Sequence, residues 1–151
     1  MPWKTTLQRA RKDKTEGKAP TTQAGEFVRE EIEHIRHGKH GARNTKQAIA
    51  IGLSKARRAG VKLAAPKPRT TSVRTRRQAE RDLKKASDGP HTISPKRSSA
   101  RERALKREPR SAASRSALSK QARSAAAKRS PRSRSTAAQK AAQTRQHRRA
   151  A

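Results

Sequence analysis

The sequence predicts a mostly α-helical protein. A small N-terminal helical hairpin or three-helix module, residues 1–66, is followed by a largely disordered basic tail, residues 67–151, with transient helices. The formal net charge is +30, from 41 Lys and Arg against 11 Asp and Glu, and only 29% of the residues are hydrophobic. Such a chain buries too little apolar surface to offset its conformational entropy over its whole length. The large apolar residues are concentrated before residue 66, so we expect the core there.

The first predicted helix covers residues 3–16. Trp3, Leu7 and Ala10 recur at the spacing that places side chains on one face of a helix. Gly17 follows, and glycine is typical of the position just after a helix. We therefore expect a short helix that ends before this residue.

The second predicted helix covers about residues 22–37. We expect Thr21 or Thr22 to cap its N-terminus, because a threonine hydroxyl can accept a hydrogen bond from an N–H group of the first turn. Gly38 and Gly41 lie just beyond its expected end. The apolar stripe of this helix consists of Val28, Ile32 and Ile35, with Phe27 beside it.

A third helix is predicted to begin after Asn44. This residue is a favoured N-cap, and Gln47 stands three positions later, as in a capping box. Gly60 is expected to end the helix in a left-handed conformation, with Val61 making the accompanying apolar contact. The second and third helices would then form a helical hairpin. The apolar stripe of the third helix consists of Ile49, Leu53 and Ala56.

The tail consists mainly of Ala, Arg, Lys, Ser, Gln and Pro, and it contains no acidic residue after Arg110. Its like charges are expected to fray any helix in free solution, while neutralisation on phosphates would allow helices to form on binding. Helix-prone stretches are predicted near residues 73–87, 99–108, 111–129 and 136–147.

The charge indicates the class of partner. A polyanion relieves the repulsion within so basic a chain, and Lys or Arg side chains release the condensed counterions of DNA when they bind its phosphates. We therefore expect an intracellular protein that binds duplex DNA without sequence preference. The candidate nucleic-acid-binding residues are Lys39, His40, Arg43, Lys46, Lys55, Arg57, Arg58, Arg74, Arg76, Arg77, Lys96, Arg97, Arg129, Arg132 and Arg134.

The glycine turn before the third helix suggests a specific phosphate site. Backbone N–H groups and the helix dipole both favour an anion at a helix N-terminus. The pattern Gly38-Lys-His-Gly41 is similar to the backbone-clamping loop of the KH domain, but residues 1–66 lack the strand pattern that this fold needs. A helix-turn-helix is the other alternative, although the stretch Gly38–Asn44 is longer than its usual turn.

Other functional classes find less support in the sequence. His34, His37 and His40 are spaced by three. We interpret His34 and His37 as i,i+4 partners of Glu30 and Glu33 on a helix, and we expect no metal site. No catalytic set is recognisable, so the protein is not expected to be an enzyme and needs no cofactor or small-molecule substrate. No apolar run approaches a membrane span. The scarcity of aromatic residues disfavours a single-strand stacking platform.

Long strings of residues resemble a family of small, uncharacterised basic proteins from bacteria that are labelled as DNA-binding. The resemblance covers residues 2–63, through the strings over residues 22–31, 37–43 and 45–61, and it extends to 74–83 and the tail. It implies a bacterial origin, and with it a nucleoid-associated role in the bacterial cytoplasm, but no established chemistry.

The tail also resembles the basic tails of linker histones and of bacterial histone-like proteins. Ser94-Pro-Lys-Arg97 and Ser130-Pro-Arg-Ser133 are similar to the Ser-Pro-basic repeats of such tails. The resemblance implies that a turn at each motif places basic side chains along the minor groove.

Two rival functions remain open at this stage. An RNA- or ribosome-associated protein fits the tail equally well, because Arg-rich segments also fold on RNA. Alternatively, the second helix docks a protein partner through an acidic face, and self-association of the N-terminal helices is possible in either case. That acidic face consists of Glu26, Glu30, Glu31 and Glu33.

Overall fold

The structure, a computed structural model, describes residues 2–89 and 94–150, and the side chains of all of these except 148–150. The described ranges contain seven α-helices and a 3₁₀ turn at Ser111–Ala113. The helices divide between a first unit, which ends at Ser114, and a second unit, which begins at Arg115. They are α1 (Lys4–Thr15), α2 (Pro20–Arg36), α3 (Thr45–Arg58), α4 (Val73–Ser87), α5 (Pro95–Lys106), α6 (Arg115–Ala127) and α7 (Pro131–Ala150).

The prediction of a largely disordered tail is wrong. Four helices, α4 to α7, cover most of the described residues after residue 72. Ala, Arg, Lys and Gln are strong helix formers, and Pro95 and Pro131 stand at the first positions of α5 and α7, where a fixed φ and a missing N–H suit a helix start. Local helix propensity and favourable helix starts therefore outweigh the charge repulsion in this part of the chain.

The helical hairpin that the sequence predicts is present in the first unit. Helix α2 packs against α3, α1 packs against α2, and α4 packs against α3. Phe27 is 1% exposed at the centre of the core, among Ala10, Ala24, Ala56 and Val61. A Cβ atom added at Gly52 would lie 2.7 Å from Val28 Cα, so the glycine allows α2 and α3 to approach closely.

The ends of α3 follow the predicted capping pattern. Asn44 Oδ1 accepts a hydrogen bond from the Gln47 N–H group at 2.9 Å. Gly60 has a φ of 88°, and the N–H groups of Gly60 and Val61 donate to the carbonyl oxygens of Arg57 and Ala56, which is the Schellman arrangement. The capping-box interaction differs in one detail, because Gln47 Oε1 accepts from the N–H group of Arg43.

The start of α2 differs from the prediction. The helix begins at Pro20, after Ala19, and neither Thr21 nor Thr22 caps it. Proline at the first position fixes φ at a helical value and removes one N–H group that would lack a partner, so the threonines lie inside the helix.

A segment of the tail, residues 105–113, packs on the turn between α2 and α3. The N–H groups of Gly41 and Ala42 donate to the carbonyl oxygens of Leu105 and Pro109 at 2.9 and 3.0 Å. Thr45 Oγ1 donates to the Ala112 carbonyl at 2.7 Å. The sequence places a boundary at residue 66, whereas the first unit of the structure includes residues 67–114.

The second unit contains α6 and α7. Ser130 Oγ accepts a hydrogen bond from the Ser133 N–H group at 3.2 Å, so the second Ser-Pro-basic motif is a helix start. The first motif likewise precedes a helix, since α5 begins at Pro95. Both motifs therefore differ from the groove-following turns that the resemblance to histone tails implies.

Candidate nucleic-acid interface

Two of the candidate cations on α3, Lys55 and Arg57, point into the first unit, while a third, Arg58, is exposed and pairs with a buried carboxylate. Arg57 is 7% exposed, and its guanidinium donates to the carbonyl oxygens of Leu63 and Ala64. Burial lowers the pKa of Arg57 from its ordinary value. Lys55 Nζ binds Glu31 Oε2. Arg58 pairs with the buried Asp82 at 3.1 Å. These side chains stabilise the fold, and that role competes with phosphate binding.

The turn before α3 is not an open phosphate site. Its N–H groups at Gly41 and Ala42 donate to residues 105–109, and the Asn44 side chain caps the helix. The described ranges contain helices and no β-strand, and a KH fold needs a β-sheet, so these ranges do not form a KH domain. The predicted phosphate site is thus occupied by the protein's own tail.

Two candidates at this turn contact other parts of the first unit: Lys39 contacts Trp3, and His40 contacts Glu31 on α2. Lys39 is exposed, and its Nζ lies 4.6 Å from the ring centroid of Trp3. His40 is half-buried, with Nε2 3.2 Å from Glu31 Oε1. The cation–π contact leaves Lys39 accessible, whereas His40 is turned inward.

The remaining candidates lie at the surface. Arg76 is the intermediate case, because it is half-buried and 3.5 Å from Glu80. The exposed members in the first unit are Arg43, Lys46, Arg74, Arg77, Lys96 and Arg97. Those in the second unit are Arg129, Arg132 and Arg134.

The two units differ in how their cations are neutralised. All 11 acidic residues lie in the first unit, where most of them pair with Lys, Arg or His. Residues 115–151 contain 11 Lys and Arg and no acidic residue. Every Lys and Arg from Arg115 to Arg145 is exposed. The second unit therefore presents cations without carboxylate competitors of its own.

Several of these second-unit cations were missed as site residues by the sequence analysis. The absence of acidic residues after Arg110 is the signal that identifies them. They are Arg115, Lys120, Arg123, Lys128, Lys140 and Arg145.

The predicted acidic docking face of α2 is engaged within the first unit. Glu30 and Glu31 are 1% and 0% exposed. Glu26 lies 3.8 Å from Arg9, and Glu33 accepts from Arg29. These four carboxylates therefore do not form an open surface for an external partner.

The same side of α2 contains a buried group of polar side chains that the sequence analysis did not recognise as a unit. Glu31, His34 and His40 each offer one potential metal-ligand atom, and these three atoms lie within 4.8 Å of one another. Burial, followed by the nearby charge of Lys55, lowers the pKa of His34 from its ordinary value. His37, the middle histidine of the sequence pattern, is exposed and lies outside this group.

No helix within residues 2–89 and 94–150 has both the length and the apolar character needed to cross a membrane.

Comparison with known proteins identifies one family. Residues 11–69 match a family described as "Family of unknown function (DUF6496)". No curated protein and no solved structure matches the chain. The resemblance to an uncharacterised family is confirmed over the segment that contains α2 and α3, while its bacterial and DNA-binding attributes remain predictions.

Proposed function

We propose that the protein binds nucleic acid, and duplex DNA in particular, without sequence preference through Lys and Arg contacts to phosphates. The observation that carries the proposal is the second unit, in which nine exposed cations between Arg115 and Arg145 share a stretch with no acidic residue. Binding would release the counterions condensed on DNA. Helix α7 has 20 residues and is about 30 Å long, enough to follow several phosphates along a groove.

The absence of a stacking surface supports a duplex over a single strand. Single-strand binders place bases on aromatic side chains. Phe27 is 1% exposed in the core, and the Trp3 ring packs on His34 with a centroid distance of 4.6 Å. Tyrosine is absent from the sequence. The aromatic side chains are therefore committed to the fold of the first unit.

The lack of sequence preference follows from the chemistry of the exposed side chains. Contacts to phosphates position a protein on a duplex but carry no sequence information. In the second unit the exposed charged side chains are Lys and Arg, distributed among Ala, Ser and Gln. The expected role is coating or compaction of DNA, which in a bacterium means the nucleoid.

The proposal is tested by a salt titration of the full chain against duplexes of unrelated sequence, with structured RNA at matched salt. With about 10 phosphate contacts, the logarithm of the association constant should fall with the logarithm of salt concentration at a slope of about −9. Equal affinity for the duplexes is expected. A clear preference for RNA would reassign the function to a ribosome or transcript, and weak, shallow binding to both would overturn the proposal.

A further inference from the structure

We propose that Glu31, His34 and His40 form a binding site for a divalent transition-metal ion, with Zn²⁺ as the preferred ion. Glu31 and His34 are three residues apart on α2, and His40 comes from the turn after this helix. Residues three apart on a helix lie on the same face, so one carboxylate and one imidazole converge before the turn brings the second imidazole to them.

Atoms in this group are buried without hydrogen-bond partners. Glu31 Oε1, His34 Nε2 and the neighbouring Glu30 Oε1 are each buried and make no hydrogen bond. Glu31 is 0% exposed and His34 is 8% exposed. Buried polar atoms nearly always have a partner. These three make only imidazole–carboxylate contacts, at 3.2 Å for Glu31 and His40 and 3.6 Å for Glu30 and His34, and a bound cation would satisfy all three.

The hydrogen bond of His40 specifies which ring nitrogen faces Glu31. His40 Nδ1 lies 3.0 Å from the Gly41 carbonyl oxygen, which can only accept, so Nδ1 carries the hydrogen. In the neutral ring, Nε2 then has a lone pair, and it lies 3.2 Å from Glu31 Oε1. A proton on Nε2 satisfies both atoms, and so does a metal ion shared between them, so the zinc titration separates the two cases. An imidazole that donates its other N–H to a backbone carbonyl is the usual arrangement in metal sites.

The charges around the group are compatible with a divalent ion. Lys55 binds the other oxygen of Glu31, Oε2, and would hold this carboxylate in place as an outer partner. Glu30 adds a second buried carboxylate, with Oε1 3.6 Å from His34 Nε2.

The donor atoms indicate which ion fits. Imidazole nitrogen together with carboxylate oxygen suits Zn²⁺, whereas Mg²⁺ and Ca²⁺ prefer oxygen ligands. Zn²⁺ bonds of about 2.1 Å place tetrahedral ligand atoms about 3.4 Å apart. The 3.2 Å between Glu31 Oε1 and His40 Nε2 is close to this value, and wider separations, up to 4.8 Å, would close by roughly an ångström. The fourth position would be taken by Glu30 Oε1 or by water.

The site has an intrinsic reporter. Trp3 is the single tryptophan of the chain, and its ring packs edge-on against His34, with Lys39 over its face. The backbone N–H group of Trp3 donates to Glu30 Oε2 at 3.1 Å. A metal bound to His34 would therefore change the environment of the Trp3 ring.

The test titrates the metal-free full chain with Zn²⁺ alone, without nucleic acid, and follows heat and Trp3 fluorescence. We expect one Zn²⁺ per chain, and more than about tenfold weaker binding in both His40→Ala and Glu31→Gln. His37→Ala is the matched control, since this exposed histidine lies on the same helix end, and its affinity should be unchanged. Mg²⁺ should produce neither heat nor a fluorescence change.

Absorption spectroscopy of the zinc edge on the unaltered chain avoids dependence on a variant that fails to fold. The proposal requires a shell of nitrogen and oxygen atoms that contains two imidazoles. A shell of oxygen alone, equal affinity in His40→Ala, loss of affinity in His37→Ala, or absence of binding would each overturn it. Because nucleic acid is absent, this result is independent of the DNA-binding proposal.

Discussion

The first and second units use the same basic residue types in opposite ways. In the first unit, Arg57 and Lys55 are directed inward, where backbone carbonyls and Glu31 neutralise or solvate them. In the second unit, Arg132 and Arg134 are exposed, and no acidic residue exists in residues 115–151 to pair with them. The difference teaches that net charge alone does not locate a binding surface. The distribution of carboxylates and of apolar partners decides which cations are structural.

The largest expected effect comes from neutralising four cations of α7. The variant Arg132→Gln, Arg134→Gln, Lys140→Gln and Arg145→Gln should reduce the salt slope of duplex binding by about 3.6, since each phosphate contact contributes about 0.9. At 0.1 M salt this corresponds to roughly a 10³-fold loss of affinity. Fluorescence anisotropy with a labelled duplex over a salt series measures both quantities.

The matched control neutralises four exposed cations of α1 and therefore has the same net charge. It carries Lys4→Gln, Arg11→Gln, Lys12→Gln and Lys14→Gln. We expect its slope to stay much closer to that of the unaltered chain. Equal losses in the two variants would show that only total charge matters, and the contrast between the units would then be irrelevant to binding.

The second largest effect concerns stability. Here the substitution in the first unit should have the large effect and the one in the second unit the small effect. Glu31→Ala removes the carboxylate that binds Lys55 in a largely buried position, and breaking such a pair leaves an uncompensated charge. We expect the free energy of unfolding to fall by about 3 kcal/mol in urea titrations. Arg134→Ala should change it by less than about 0.5 kcal/mol, because this residue is exposed. Similar losses for both would contradict the assigned roles.

A smaller loss is expected where the tail packs on the turn before α3. A Cβ atom at Gly41 would overlap the Glu108 carbonyl oxygen, so Gly41→Ala should displace residues 105–113 and lower the free energy of unfolding by about 2 kcal/mol. Hydrogen exchange at the Ala42 N–H group should accelerate, since it donates to Pro109.

Gly25→Ala provides the control for this substitution. Gly25 lies in α2, and an added Cβ atom would have no atom within 4 Å. Alanine should therefore raise the free energy of unfolding by roughly 0.5–1 kcal/mol, through the lower entropy of the unfolded chain. If Gly41→Ala were equally harmless, the docking of residues 105–113 would be wrong.

The smallest effect compares helix caps in the two units. Asn44→Ala removes the side chain that accepts from Gln47 N–H and should cost about 1 kcal/mol in the unfolding of the first unit. Ser130→Ala removes the corresponding acceptor for Ser133 N–H in the second unit. It should lower the helical signal in circular dichroism and leave the unfolding midpoint of the first unit unchanged. A shift of that midpoint would contradict the assignment of the Ser130 cap to the second unit alone.

Local signals were sufficient for parts of the fold. The Asn44 cap, the left-handed Gly60 and the apolar contact of Val61 act within a few residues, so they could be predicted and are confirmed. Helix α1 lies within one residue of its predicted bounds at each end. The tail helices depend on the helix propensity of Ala, Arg, Lys and Gln, which is also a local property and outweighs the repulsion predicted from the global charge.

The sequence predicts that Lys and Arg form the binding surface, but it does not predict which of these side chains are exposed. Arg57 and Arg132 are both arginines near other basic residues, yet one is buried against Leu63 and Ala64 while the other is exposed. No spacing rule distinguishes them, because the environment of Arg57 depends on how the chain after α3 folds back on it.

The sequence by itself determined the basic character of the protein, the helical hairpin and the capping of α3, because composition and near-neighbour hydrogen bonds suffice for these. Only the tertiary structure decided that residues 105–113 close the turn before α3, and that Glu31, His34 and His40 meet in a buried group. The physical reason is range. Caps and helical periods act over three to five residues, whereas burial and charge pairing depend on which distant segments pack together.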